Sequence, residues 1–158
     1  MSNDLKVVPA GDRNIVVTRT FKAPKEKIFD AYTKPEHLKR WLLGPQGWTL
    51  PVCTLDPKPG GEYHYLWRHE DGREMGMHGV VKEIHRPDHL LTTELFDEPW
   101  YPGEGLNDLS LTEDGKTTLH TLVMRYESKA ARDMVLQSGM QRGLSESYDR
   151  LEDLLRIM

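Results

Sequence analysis

Hydrophobic positions along the chain change period twice, and the changes divide it into elements. Residues 14–21, NIVVTRTF, have the β-branched content of a first strand. Ala23-Pro24 then opens a short helix with proline at its first position, carrying Ile28, Phe29 and Tyr32 on one side. Pro35 starts a second short helix whose apolar face is Leu38, Trp41 and Leu42, and Gly44-Pro45 stops it. From Gln46 the period becomes two. Strands are expected at about 47–55, 61–69, 74–86, 89–97, 106–113 and 117–126, separated by Pro57 to Gly61, Asp71-Gly72, Pro87-Asp88, Pro99 to Gly105 and Asp114-Gly115.

The period then returns to that of a helix. Leu136, Met140, Leu144, Ser147, Leu151, Leu154, Leu155 and Met158 step by threes and fours onto one stripe, with Arg142, Asp149, Asp153 and Arg156 opposite. The spacing predicts one long amphipathic helix from Ser128 to Met158, capped by the Ser128 hydroxyl. Glu146 with Arg150 and Glu152 with Arg156 stand one turn apart in the favourable order. Gly139 and Gly143 lie at the edge of the stripe, each costing about 1 kcal/mol relative to alanine in a helix interior. Another part of the chain is therefore expected to approach the helix backbone there.

The elements amount to an α+β protein in which a curved antiparallel sheet of about seven strands wraps a long C-terminal helix. Two short helices follow the first strand. A sheet that is apolar on one face and wetted on the other needs only one such helix to close its core. Residues 1–12, with Pro9 and Gly11, read as a flexible lead-in, and residues 13–158 as a single domain.

Composition narrows the function. At 158 residues one core is expected, and a domain of this size buries roughly two-thirds of its unfolded surface. A net charge of -4 with both signs mixed excludes the clustered basic footprint of a nucleic-acid binder. Cys53 is the single cysteine, which rules out an intrachain disulfide and suits a reducing, cytoplasmic compartment. The start has no apolar signal region, and no stretch reaches the ~20 apolar residues of a membrane span.

Several local patterns, taken in order, carry a resemblance. They are Phe21-Lys22-Ala23-Pro24, Thr33-Lys34-Pro35-Glu36-His37-Leu38 running into Trp41, and Pro59-Gly60-Gly61-Glu62-Tyr63. Gly79-Val80-Val81-Lys82-Glu83-Ile84 and Asp114-Gly115-Lys116-Thr117-Thr118-Leu119 follow, then Ser138-Gly139-Met140-Gln141-Arg142-Gly143 with Tyr148 and Leu151. Over residues 14–158 the chain resembles the START-like (SRPBCC, helix-grip) superfamily, in the branch similar to the activator of Hsp90 ATPase. The resemblance implies a cavity between sheet and helix. Superfamily members bind lipids, polyketides, hormones or flavonoid-like molecules there, and a few catalyse cyclisation or hydrolysis. The segment before the first strand is too short for the additional N-terminal domain of the eukaryotic co-chaperone, so an Hsp90-type partner is not expected.

The candidate ligand-binding residues are the large side chains assigned to the concave face: Trp41, Trp48, Tyr63, Tyr65, Trp67, Met75, Met77, Phe96, Trp100 and Met140. Aromatic walls and polarizable thioethers adapt to an irregular ligand, although the same residue types also fill cores. His120 is added because it shares a side with Leu122, Met124 and Tyr126, while the opposite side, Leu119, Thr121 and Val123, is also largely apolar. The inward face of that strand therefore stays open. Glu83 shares parity with Gly79 and Val81, which turns its carboxylate inward; with His120 it is a candidate general base for the enzyme reading. The Pro99 to Gly105 loop, carrying Trp100 and Tyr101, suits a lid or a homodimer contact equally well.

No metal site is expected, because His85 and His89 span a turn rather than a helical face. No motif calls for a cofactor. The leading expectation is a binder of a small, largely apolar molecule. A cyclase or hydrolase in the same cavity, or a chaperone-associated module, is the alternative.

Overall fold

The computed structural model describes residues 5–158. Chain order is β1 (Lys6–Ala10), β2 (Asn14–Phe21), α1 (Lys25–Thr33), α2 (Pro35–Trp41), β3 (Trp48–Leu55), β4 (Glu62–His69), β5 (Glu74–His85), β6 (His89–Phe96), β7 (Gly105–Asp114), β8 (Thr117–Arg125), α3 (Lys129–Leu136) and α4 (Met140–Ile157). The eight strands form one antiparallel sheet in the order β1-β2-β8-β7-β6-β5-β4-β3. This is the expected α+β helix-grip arrangement with one strand more than the seven anticipated.

The additional strand is β1, which lies within the segment expected to be a loose lead-in. It pairs with β2 from Lys6 opposite Thr18 to Ala10 opposite Asn14. Residues 1–4 of that lead-in lie outside the described residues. Pro9 hid the strand, since proline cannot donate to a ladder; β1 tolerates it by sitting at the sheet edge. Pro51 in β3 occupies the other edge, where the register shifts between Thr49 and Val52.

The C-terminal helix is also corrected: it is two helices. Ser128 caps α3 as expected, accepting from the Ala131 amide at 3.0 Å. At Gly139 the backbone turns left-handed (φ +81°) and α4 begins. Gly139 therefore answers a conformational need, since no heavy atom would lie within 4 Å of a Cβ there. Gly143 answers a spatial one, because a Cβ would stand 3.2 Å from Pro45 Cδ. The stripe held across the break, with Ser147, Leu151, Leu154 and Leu155 all buried.

The core lies between the concave face and the helices. Ile15, Val17 and Phe21 of β2 and Leu109 and Leu111 of β7 meet Ile28 and Phe29 of α1, Leu38 and Trp41 of α2, and Tyr148, Leu151 and Leu155 of α4. The Trp41 indole donates to the Ala31 carbonyl at 2.9 Å, which keeps a fully buried N–H paired. Arg19, also buried, reaches Asp149 on α4 at 2.9 Å and Glu152 at 3.6 Å, tying β2 to the helix. On β8, Thr118, His120 and Leu122 are buried while Leu119 is exposed, which settles the open question of its inward face.

Candidate functional site

Between the β4–β6 side of the sheet and the start of α4 lies a pocket of about 640 Å³. One wall is the segment from Leu42 to Pro45 between α2 and β3. Side chains of α4 pin this segment. Ser147 Oγ accepts from the Gly44 amide at 2.9 Å, Arg150 donates to the Gly44 carbonyl at 2.7 Å, and Glu146 accepts from the Gln46 amide at 3.1 Å. Arg150 thus serves the loop, and Glu146 takes its ion pair from Arg142 instead, at 3.0 Å. From the sheet, the Trp67 indole donates to the Leu42 carbonyl at 2.8 Å. The Gly143 contact with Pro45 completes the seam.

The rest of the lining is apolar. Trp48, Trp67, Met75, Phe96 and Trp100 come from β3–β6 and the following loop; Met124, Val135, Met140 and Leu144 come from β8 and the helices. Trp100 packs edge-on against Phe96 at 5.6 Å and stays 36% exposed, and Met75 is 44% exposed, so these two stand at the mouth. Trp100 belongs to the Pro99 to Gly105 loop. Its loop neighbour Tyr101 is buried and anchors the loop.

Besides Ser138, whose hydroxyl donates to the Val135 carbonyl at 2.6 Å, two polar side chains interrupt this lining. Glu94 of β6 is 6% exposed and accepts from Tyr101 Oη at 2.7 Å and Asn107 Nδ2 at 2.9 Å. Tyr126, just beyond β8, is 2% exposed, and its hydroxyl has no partner among the described residues. A buried hydroxyl left unpaired costs roughly 1–3 kcal/mol. Burial, then the nearby Glu94 charge, pushes the Tyr126 phenol well above its ordinary range, so it is a neutral donor. Neither residue was singled out from sequence for the site. The signal was present, since Glu94 shares strand parity with Phe96 and Tyr126 with His120.

The expected ligand-binding residues divide into two groups. Trp48, Trp67, Met75, Phe96, Trp100 and Met140 line the pocket. Trp41, Tyr63, Tyr65 and His120 are buried in the packed core, where Met77 packs against them as a half-buried neighbour. Tyr63 is fixed there by donating to the Thr93 carbonyl at 2.6 Å.

His120 is fully buried in an aromatic knot with Phe21, Tyr32 and Tyr148. Its Nε2 shares a hydrogen bond with Tyr32 Oη at 2.6 Å, and Tyr32 Oη donates to Tyr148 Oη at 2.9 Å. Burial lowers the His120 pKa to about 4, so the ring is neutral at neutral pH.

Glu83 is corrected. The register shifts between Val81 and Glu83, and this bulge turns the carboxylate out to solvent, 55% exposed. It does not converge with His120. Instead Glu83, His85 and His89 bring their ligand atoms within 4.8 Å of one another at the surface, while His89 Nε2 pairs with Asp108 at 2.6 Å. His64 and His78, facing each other across β4 and β5, share Asp97 at 2.8 and 2.6 Å on the outer face. No helix among the described residues is long and apolar enough to cross a membrane.

A sheet gripping a C-terminal helix over an apolar pocket defines the START-like class, a fold that commonly binds ligands or proteins. Within it, residues 22–156 match the model of the family described as "Activator of Hsp90 ATPase homolog 1-like protein", and the chain belongs to that family. A crystal structure of a Rhodobacter sphaeroides protein is similar at TM-score 0.91 and 30% identity, over 98% of this chain and 99% of that one. A Mycobacterium smegmatis protein follows at TM-score 0.85 and 24% identity, over 98% and 99%. The solution structure of an Arthrobacter aurescens protein gives 0.84 and 23%, over 97% and 92%. No curated protein matches the chain at a significant level.

Proposed function

We propose that this protein binds a small, largely apolar molecule, lipid-, polyketide- or flavonoid-like, in the pocket between the sheet and α4. The observation that carries the reading is the pocket itself. Its volume of about 640 Å³ falls within the range of small-molecule sites, and its wall is built almost wholly from aromatic, aliphatic and thioether groups. The segment from Leu42 to Gln46 is held by four polar contacts from α4 and β4, so the pocket is formed before a ligand arrives. Pre-formation spares the ligand the cost of ordering its own site.

The two candidates of the enzyme reading do not converge: Glu83 faces solvent and His120 is sealed in the core. The single buried thiol of Cys53, whose pKa burial raises to about 11, suits a reducing cytoplasmic compartment.

Native mass spectrometry of freshly purified protein tests the proposal, followed by a thermal-shift panel of lipids and flavonoids. A ligand selective for the folded state raises the unfolding temperature with concentration. A protein that carries no adduct and shifts with no panel member contradicts the reading.

A further inference from the structure

Of the pocket's polar side chains, Ser138 is bound to the Val135 carbonyl and Ser147 to the Gly44 amide; the other two, Glu94 and Tyr126, meet at one place with a defined hydrogen-bonding character. Glu94 of β6 stands opposite Gly105 of β7, and the β7–β8 register carries on to set Gly105 beside Tyr126. The bare face of Gly105 is covered from two sides. A Cβ there would meet Tyr101 Oη at 3.3 Å and Tyr126 Cε1 at 3.4 Å. Since Tyr101 Oη also donates to Glu94, the carboxylate and the Tyr126 ring are drawn together over one glycine. Both residues line the pocket and both are more than nine-tenths buried.

Their unused capacities differ in kind. A carboxylate accepts about four hydrogen bonds. Glu94 takes one at each oxygen, from Tyr101 and Asn107. It offers further acceptance and no donation. Tyr126 offers an O–H with no partner among the described residues. A carbonyl would satisfy Tyr126 alone, and an ammonium Glu94 alone. A hydroxyl satisfies both, because it donates one hydrogen bond and accepts another.

We propose that the pocket's ligand carries a hydroxyl on its apolar body, a phenol or alcohol, received between Glu94 as acceptor and Tyr126 as donor. This rests on the reading of the pocket as a small-molecule site and adds the chemistry that selects among apolar molecules. Both groups belong to rigid strands or their immediate ends, so the ligand is oriented with its hydroxyl inward and its apolar body toward Trp100 and Met75 at the mouth.

The test uses a matched fluorescent pair, 1-hydroxypyrene and 1-methylpyrene, titrated into the wild-type protein and Tyr126→Phe at neutral pH. The wild type is expected to bind 1-hydroxypyrene at least about tenfold more tightly than 1-methylpyrene, since hydrogen bonds to charged groups are the stronger ones. Tyr126→Phe is expected to lose most of that preference by weakening 1-hydroxypyrene, with the affinity for 1-methylpyrene held or improved. Equal affinities in the wild type, or a preference unchanged in Tyr126→Phe, would overturn the inference while leaving the pocket reading standing. Binding of neither pyrene would remove the pocket reading and the inference with it.

Discussion

The two ends of α4 meet the same kinds of side chain and produce opposite results. Toward its C-terminal half, Tyr148, Leu151 and Leu155 interlock with Phe21, Tyr32, Trp41 and His120, and every one of these except Tyr32 is almost wholly buried. Toward its N-terminal half, Trp48, Trp67, Phe96, Trp100 and Met140 surround about 640 Å³ of open volume. The difference lies in what the helix contributes. Its packed half presents a tyrosine and leucines, whereas its open half alternates Met140 and Leu144 with Gly143 and Ser147 behind a break at Gly139. Aromatic content alone thus does not distinguish a core from a pocket. Small residues interrupting the facing helix do.

Substitutions that remove bulk from each end should break this symmetry most visibly. Trp41→Ala opens a cavity in the packed half and should cost about 3–5 kcal/mol in urea unfolding. Trp48→Ala, at the pocket wall, should cost less than about 1.5 kcal/mol by the same measurement. Equal losses would show that the two ends are packed alike.

The packed end should also confer a pH dependence that the pocket does not. The folded protein holds His120 at a pKa of about 4 against an ordinary 6.5. The unfolded chain therefore takes up a proton in this interval that the folded protein refuses. Stability is fully present above pH 6.5 and falls as pH drops toward 4, by at most roughly 3 kcal/mol. Urea unfolding of the wild type and His120→Gln at pH 7 and pH 4.5 checks this. A slope that persists undiminished in His120→Gln would place the dependence elsewhere.

The smallest effect concerns the break. Gly139→Ala forces a left-handed alanine into open space and should cost about 1 kcal/mol, a conformational effect with no steric part. An unchanged denaturation midpoint would mean that the α3–α4 break gives way readily.

Where sequence and structure part company, the reasons are local. The change of period from helix to strand and back was legible because burial enforces it on every element. The break at Gly139 was not, because the apolar stripe runs through it unaltered. β1 was obscured by Pro9, which signals loop anywhere except at a sheet edge. Trp67 and Phe96 lie on the concave face to which they were assigned, but strand parity failed at Glu83, where a bulge adds one residue and reverses the faces. The polar centre was passed over for another reason: Glu94 and Tyr126 sit on inward positions that parity could read, but their meeting depends on the β6–β7–β8 register, which no local pattern encodes. Likewise Trp41 and Trp48 have the same chemistry in sequence, and only the side chain opposite each one assigns it to core or pocket.

The open half of α4 is the central element of the account, and filling it is the direct test. Leu144 lines the pocket and is half-buried, so Leu144→Trp adds bulk where the volume lies. Titration of N-phenyl-1-naphthylamine, an uncharged fluorophore that brightens in apolar surroundings, should give saturable one-to-one binding to the wild type. Leu144→Trp should weaken that binding at least about tenfold while its unfolding midpoint stays near that of the wild type, as overfilling an open pocket costs far less than overpacking a core. Absence of saturable binding in the wild type, or equal affinity in the two proteins, would contradict the assignment of this pocket as the binding site.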